Sequence, residues 1–122
     1  MPRILIVDDE PGILSLLRLV FVQAGYEVFT AESSGAAIDL CGSQTFDVVL
    51  SDVRMPGMDG HALARWVAAH QPAARLVLMS GYDVECEACP LVPRCTIVGK
   101  PFHVQTVLRA VERQARKNSA AA

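Results

Sequence analysis

The sequence predicts an α/β domain built on a mainly parallel sheet, and three observations carry that expectation. Apolar runs of strand length alternate with amphipathic helical patterns along the chain, the signature of βα units. The runs are continuous rather than alternating, as in strands buried on both faces. The 52% hydrophobic fraction (counting Ala) is high for a soluble domain and suits a sheet covered on both sides. With 122 residues the chain forms one domain, large enough to bury a core without staples.

The first strand is expected over about 3–8, where Ile4-Leu5-Ile6-Val7 is unbroken. A helix should start near Pro11, a residue suited to a first helical turn, and end before Gly25, a natural residue just past a helix end. Ile13, Leu16, Leu17 and Val20 fall at helical spacing and form its expected core stripe. Leu19 and Val22 fall outside that stripe, which leaves the helix apolar nearly all round. A second strand over about 26–31 leads to a short helix over about 34–42, capped by Ser33 or Ser34. The third strand is expected at about 47–52. The next helix, about 61–70, takes Asp59 as its cap and stops before Pro72. Its Leu63, Trp66, Val67 and His70 form a stripe that should face the core.

A fourth strand at about 75–80 and a fifth at about 96–99 complete the sheet. Between them Pro90 and Pro93 permit at most a helix of a turn or two, so the fourth helix should be shortened or irregular. The last helix, about 103–117, buries Val104, Val107, Leu108 and Val111, and turns Arg109, Arg113, Arg116 and Lys117 to solvent. Residues 1–117 make up the domain and 118–122 a frayed tail or the start of a linker.

Charge and composition exclude several function classes. A net charge of −2 gives no general attraction to nucleic acid, and no basic-aromatic pattern suggests base stacking. No run approaches the roughly 18–20 apolar residues needed to span a membrane, and Met1-Pro2-Arg3 leaves no room for a signal peptide. A cytoplasmic protein is the expectation, with its four cysteines as thiols.

The chemistry is expected at one rim. In an open parallel sheet, reactive groups gather outside the C-terminal ends of the strands. Asp8 and Asp9 follow the first strand, Asp52 ends the third, Ser80 ends the fourth and Lys100 follows the fifth. Mg²⁺ binds through one or two carboxylates, waters and phosphate oxygens, and Asp9 and Asp52 can supply those carboxylates while Asp8 holds a metal-bound water. A carboxylate is also a competent nucleophile toward phosphorus. Lys100 can neutralise charge on the transferred group, and Ser80 can hydrogen-bond its oxygens.

Four segments now stand together: Val7-Asp8-Asp9-Glu10, Ser51-Asp52-Val53-Arg54-Met55-Pro56-Gly57-Met58-Asp59-Gly60, Met79-Ser80-Gly81-Tyr82 and Gly99-Lys100-Pro101-Phe102. In this order, each at a strand end, they resemble the motif set of response-regulator receiver domains, over residues from about 3 to 116. The resemblance implies a flavodoxin-like, doubly wound, five-stranded parallel sheet of order 2-1-3-4-5 with five surrounding helices. It implies that Asp52 accepts a phosphoryl group from a phosphohistidine on a histidine kinase or histidine phosphotransfer protein. By the same resemblance Asp9, Asp52 and the backbone carbonyl of Arg54 ligate Mg²⁺, Asp8 acts through water, Lys100 pairs with the phosphoryl group, and the peptide bond before Pro101 is cis. Such a chain is a monomer or weak dimer and a phosphoacceptor rather than a turnover enzyme. Met1 at the edge of the first strand and the short tail favour a single-domain regulator. Leu19 and Val22 are then either ordinary exposed aliphatics or a docking face for a kinase or phosphotransfer helix.

One departure from the pattern stands out. Receivers usually carry an aromatic residue three positions before the lysine, and here that residue is Ile97. Tyr82 either fills part of that role or is a rim residue with its hydroxyl in water. Cys86-x-x-Cys89 with Cys95 reads as half a zinc site, a redox-sensitive pair or plain thiols, and Cys41 stands apart from them. His61, His70 and His103 are scattered and read as surface or half-buried residues. Two rival functions follow from the same residues. One is a phosphorylation-independent interaction module on the same fold. The other is an aspartate-nucleophile hydrolase, which needs an acid two residues after the nucleophile where this chain has Arg54.

Overall fold

A computed structural model of the chain describes residues 2–54, 59–80, 95–99 and 103–120. The elements follow the order β1 (Arg3–Val7), α1 (Pro11–Gln23), β2 (Glu27–Ala31), α2 (Ser34–Ser43), β3 (Val48–Asp52), α3 (Gly60–His70), β4 (Arg75–Ser80), β5 (Cys95–Gly99) and α4 (Val104–Ala120). The five strands form one parallel sheet in the order β2-β1-β3-β4-β5. The parallel sheet is the one expected from the apolar runs, and its doubly wound strand order is the one the resemblance implies. The segment expected to hold a shortened fourth helix lies outside the described residues. The last helix, α4, runs to Ala120, past the expected end at 117.

Alternation along the inner strands assigns each helix to a face. Leu5, Val7, Val49, Leu76 and Leu78 pack in one cluster with Ala37 of α2 and Leu63, Ala64 and Val67 of α3. Ile4, Ile6, Val48, Leu50, Val77 and Met79 pack in the other, against α1 and α4. Odd and even neighbours on one strand therefore serve opposite layers, as the period of two requires. Edge strand β2 is wetter, with only Ala31 buried.

Local chemistry explains the helix boundaries. The end of α1 is a Schellman motif: Gly25 lies at φ 95°, Tyr26 N donates to Phe21 O at 3.0 Å, and Gly25 N donates to Val22 O at 3.1 Å. The rings of Phe21 and Tyr26 meet edge to face at 5.3 Å and close the motif with an apolar contact. Ser33 caps α2, its hydroxyl oxygen accepting from Ala36 N at 3.1 Å. Asp59 caps α3 and accepts from Ala62 N at 2.8 Å.

The rotation of α1 differs from the expected stripe. Leu14, Leu17 and Phe21 are buried, Ile13 and Val20 are half-buried, and Leu16 is 45% exposed. A helix apolar nearly all round has no single face that periodicity can select. Packing selected the face carrying Phe21, whose large ring gains most from burial. Leu19 and Val22 are exposed as expected. On α3, Leu63 and Val67 are fully buried, whereas His70 is exposed and stacks on half-buried Trp66 at 4.0 Å. Ala64 occupies the core position that His70 was expected to share.

Two buried glutamines join elements that are distant in sequence. Gln71 accepts from Phe46 N through Oε1 at 2.9 Å. Its Nε2 donates to Cys41 O at 3.0 Å and Gln44 O at 2.8 Å, so it satisfies carbonyls at the end of α2. Gln114 of α4 accepts from Arg75 Nε at 3.0 Å.

Candidate functional site

β1 and β3 are parallel neighbours registered Val7 to Ser51, so the residues that follow them emerge side by side at the C-terminal rim. Asp8 comes directly after β1 and is fully buried, and Asp9 beside it is exposed. Asp52 is the last residue of β3 and is 6% exposed. One carboxylate oxygen from each of the three lies within 4.8 Å of the others. Among the described residues, no other group of three His, Cys, Asp or Glu side chains converges in this way.

The turn into α1 orients Asp8. Asp8 N donates to Ala31 O at 3.2 Å, and Glu10 N donates to Asp8 Oδ1 at 2.9 Å. Glu10 O in turn accepts from Ile13 N and Leu14 N, which starts the helix. Asp52 is held through its backbone: Val53 N donates to Met79 O at 2.9 Å and Gly60 N donates to Val53 O at 2.8 Å. The beginning of α3 is thereby tied to the end of β3. Sequence reasoning included Gly60 in the motif that runs from Ser51 but gave it no role of its own.

The remaining expected residues that the structure describes are distributed over the fold. Ser80 ends β4, is 2% exposed and pairs with Gly99, the last residue of β5. Arg54 is exposed, two residues beyond Asp52. Lys100, Pro101 and Tyr82 lie outside the described residues, as do Cys86 and Cys89. Ile97 pairs with Leu78 and is half-buried against the α2–α3 side cluster. Cys41 is half-buried on α2, and desolvation pushes its thiol pKa up, away from reactive thiolate. His61 is half-buried, and His70 and His103 are exposed. No helix among the described residues is long and apolar enough to cross a membrane.

Three carboxylates brought this close repel one another unless a cation sits among them. All of their donor atoms are hard oxygens, the set that Mg²⁺ prefers. The cluster therefore fits a divalent ion and leaves oxygens for a phosphate ligand.

Comparison with known proteins identifies relatives of the chain. Sporulation initiation phosphotransferase F of Bacillus subtilis is 34% identical over 114 residues, which is 91% of each chain. The regulatory protein AtoC of Escherichia coli is 35% identical over 114 residues, and the chain spans only 24% of its length. The crystal structure of the response regulator TrrA of Thermotoga maritima in complex with Mg(2+)-BeF superposes with a TM-score of 0.81 at 30% identity, covering 93% of this chain and 99% of that one. The family model of the response regulator receiver domain matches residues 4–112, and the chain belongs to that family, the receivers of two-component signalling.

Proposed function

We propose that the chain is an Mg²⁺-dependent phosphoacceptor, in which Asp52 takes a phosphoryl group from a phosphohistidine on a histidine kinase or histidine phosphotransfer protein. The signal then passes on by conformational change or phosphorelay. The observation that carries this reading is the convergence of Asp8, Asp9 and Asp52 at the rim where Ser80 also ends its strand. The complex of the related TrrA with Mg(2+)-BeF supports it.

In the forward step an Asp52 carboxylate oxygen attacks phosphorus. An O–P bond forms as the N–P bond to the partner's imidazole breaks, the electron pair leaving with the ring nitrogen, which is then protonated. Water later attacks the same phosphorus, releasing inorganic phosphate and restoring the carboxylate. Asp9, Asp52 and the Arg54 carbonyl would hold the ion directly, and Asp8 would hold it through a water. When bound, Mg²⁺ supplies positive charge against the phosphoryl oxygens. Ser80 donates its hydroxyl proton to one of those oxygens, and Lys100 pairs with another. The burial of Asp52 limits the approach of water and so lengthens the life of the acyl phosphate. No outside substrate is turned over.

The test is incubation with labelled phospho-kinase or acetyl phosphate and Mg²⁺. Asp52→Asn should abolish labelling and keep the fold; label on an acid-stable residue such as Ser80 would refute the assignment. Lys100→Ala should still be labelled in part yet lose the conformational response. A wild-type protein unchanged by acetyl phosphate or beryllofluoride with Mg²⁺ would instead mark a phosphorylation-independent interaction module.

A further inference from the structure

The first residue of α3 lies unusually close to the backbone that carries Asp52. A Cβ placed on Gly60 would overlap the Asp52 carbonyl oxygen, and would lie 2.7 Å from Val53 Cα and 3.0 Å from Asp52 C. All three are backbone atoms, so no side chain can rotate away to make room. The same residue donates its N–H to Val53 O at 2.8 Å, and Val53 N is itself tied to Met79 O on β4. The side chain of Asp59 pins the helix start from the other side through Ala62 N. Gly60 itself is buried.

From this contact we infer that Gly60 is a positioning residue: its missing side chain lets α3 press on the Asp52–Val53 backbone and so sets where the acceptor carboxylate and the Arg54 carbonyl stand relative to Asp8 and Asp9. The inference rests on the reading of Asp52 as an Mg²⁺-assisted acceptor. Any Cβ at position 60 must move the end of β3, the start of α3, or both. The three carboxylates each place an oxygen within 4.8 Å of the others, and metal–ligand distances tolerate only about 0.2 Å, so a shift of a few tenths of an ångström is enough to disturb the site. Gly42 serves as the control, because a Cβ there meets nothing within 4 Å.

The experiment compares wild type, Gly60→Ala, Gly42→Ala and Asp59→Ala in the full chain. Mg²⁺ affinity is read by calorimetric titration with MgCl₂, and acceptor rate is read with acetyl phosphate across Mg²⁺ concentrations. Gly60→Ala should weaken Mg²⁺ binding by about 10- to 100-fold, the usual effect of disturbing the residues that orient metal ligands. Gly42→Ala should leave both readouts at wild-type values. Asp59→Ala adds no atom and loosens the same helix start, so it should weaken Mg²⁺ binding to a smaller degree; this variant decides the matter if Gly60→Ala does not fold. A purely structural role would lower the melting temperature while the folded protein kept its Mg²⁺ affinity, and that result overturns the inference. Mg²⁺ affinity at the wild-type value in Asp59→Ala overturns it as well. Absence of Mg²⁺ binding and of labelling in the wild type would overturn the acceptor reading along with it, whereas a competent wild type matched by Gly60→Ala overturns the positioning alone.

Discussion

Replacing Asp8 by Asn tests the electrostatics of the rim, because the amide keeps an Oδ1 acceptor for Glu10 N, removes the charge and replaces Oδ2 by an NH₂ donor. Asp8 is fully buried, Asp52 is 6% exposed, and their oxygens lie within 4.8 Å. Two unit charges at that separation repel by about 3.5 kcal/mol at an effective dielectric of about 20, and by about 0.9 kcal/mol in water. Neutralising Asp8 also removes the cost of burying a carboxylate, so both contributions have the same sign. We expect the variant to be more stable than wild type in EDTA by about 1–2 kcal/mol, allowing for relaxation around the site. For a domain of this size that is a rise in melting temperature of roughly 3–8 °C. Mg²⁺ should then narrow the gap. At 100 times its dissociation constant the ion stabilises wild type by about 2.7 kcal/mol, whereas a tenfold weaker site gains about 1.4 kcal/mol. The assay is urea unfolding followed by circular dichroism, with EDTA and with Mg²⁺. An Asp8→Asn protein less stable than wild type in EDTA, or one with an equal response to Mg²⁺, would refute the reasoning.

Two further substitutions test the scaffold. Gln71→Ala removes three hydrogen bonds from a side chain only 8% exposed and leaves carbonyls at the end of α2 without that donor, so it should cost about 2–4 kcal/mol. A loss below about 1 kcal/mol in urea unfolding would mean that water replaces the amide without penalty. Asp59→Ala removes the cap of α3 and should cost about 1 kcal/mol, read as a lower melting temperature. An unchanged melting temperature would refute a capping contribution from Asp59.

Much of the site was legible because its signals are local. Asp8 and Asp52 each close a continuous apolar run, and a run of that kind in an α/β chain implies a buried strand whose end lies at the reactive rim. Asp59 and Gly25 were legible for a similar reason: capping chemistry depends on residues two to four positions away. The choice between Ser33 and Ser34 was settled by the structure in favour of Ser33. The face of α1 was not legible in the same way. Ile13, Leu14, Leu16, Leu17, Leu19, Val20, Phe21 and Val22 all satisfy a helical period in one rotation or another.

The chain's own pattern therefore determined the order of strands and helices, the caps, and which acids meet at one rim. Tertiary structure alone decided which rotation of α1 is buried, because burial depends on the surface offered by the sheet and α4. It alone recruited Gln71 to Phe46, 25 residues away, and Gln114 to Arg75, 39 residues away, since a buried polar group takes whatever partner the packing brings within reach. It also decided that position 60 has no room for a side chain. That clearance is a distance between α3 and the end of β3, and no run of neighbouring residues encodes it.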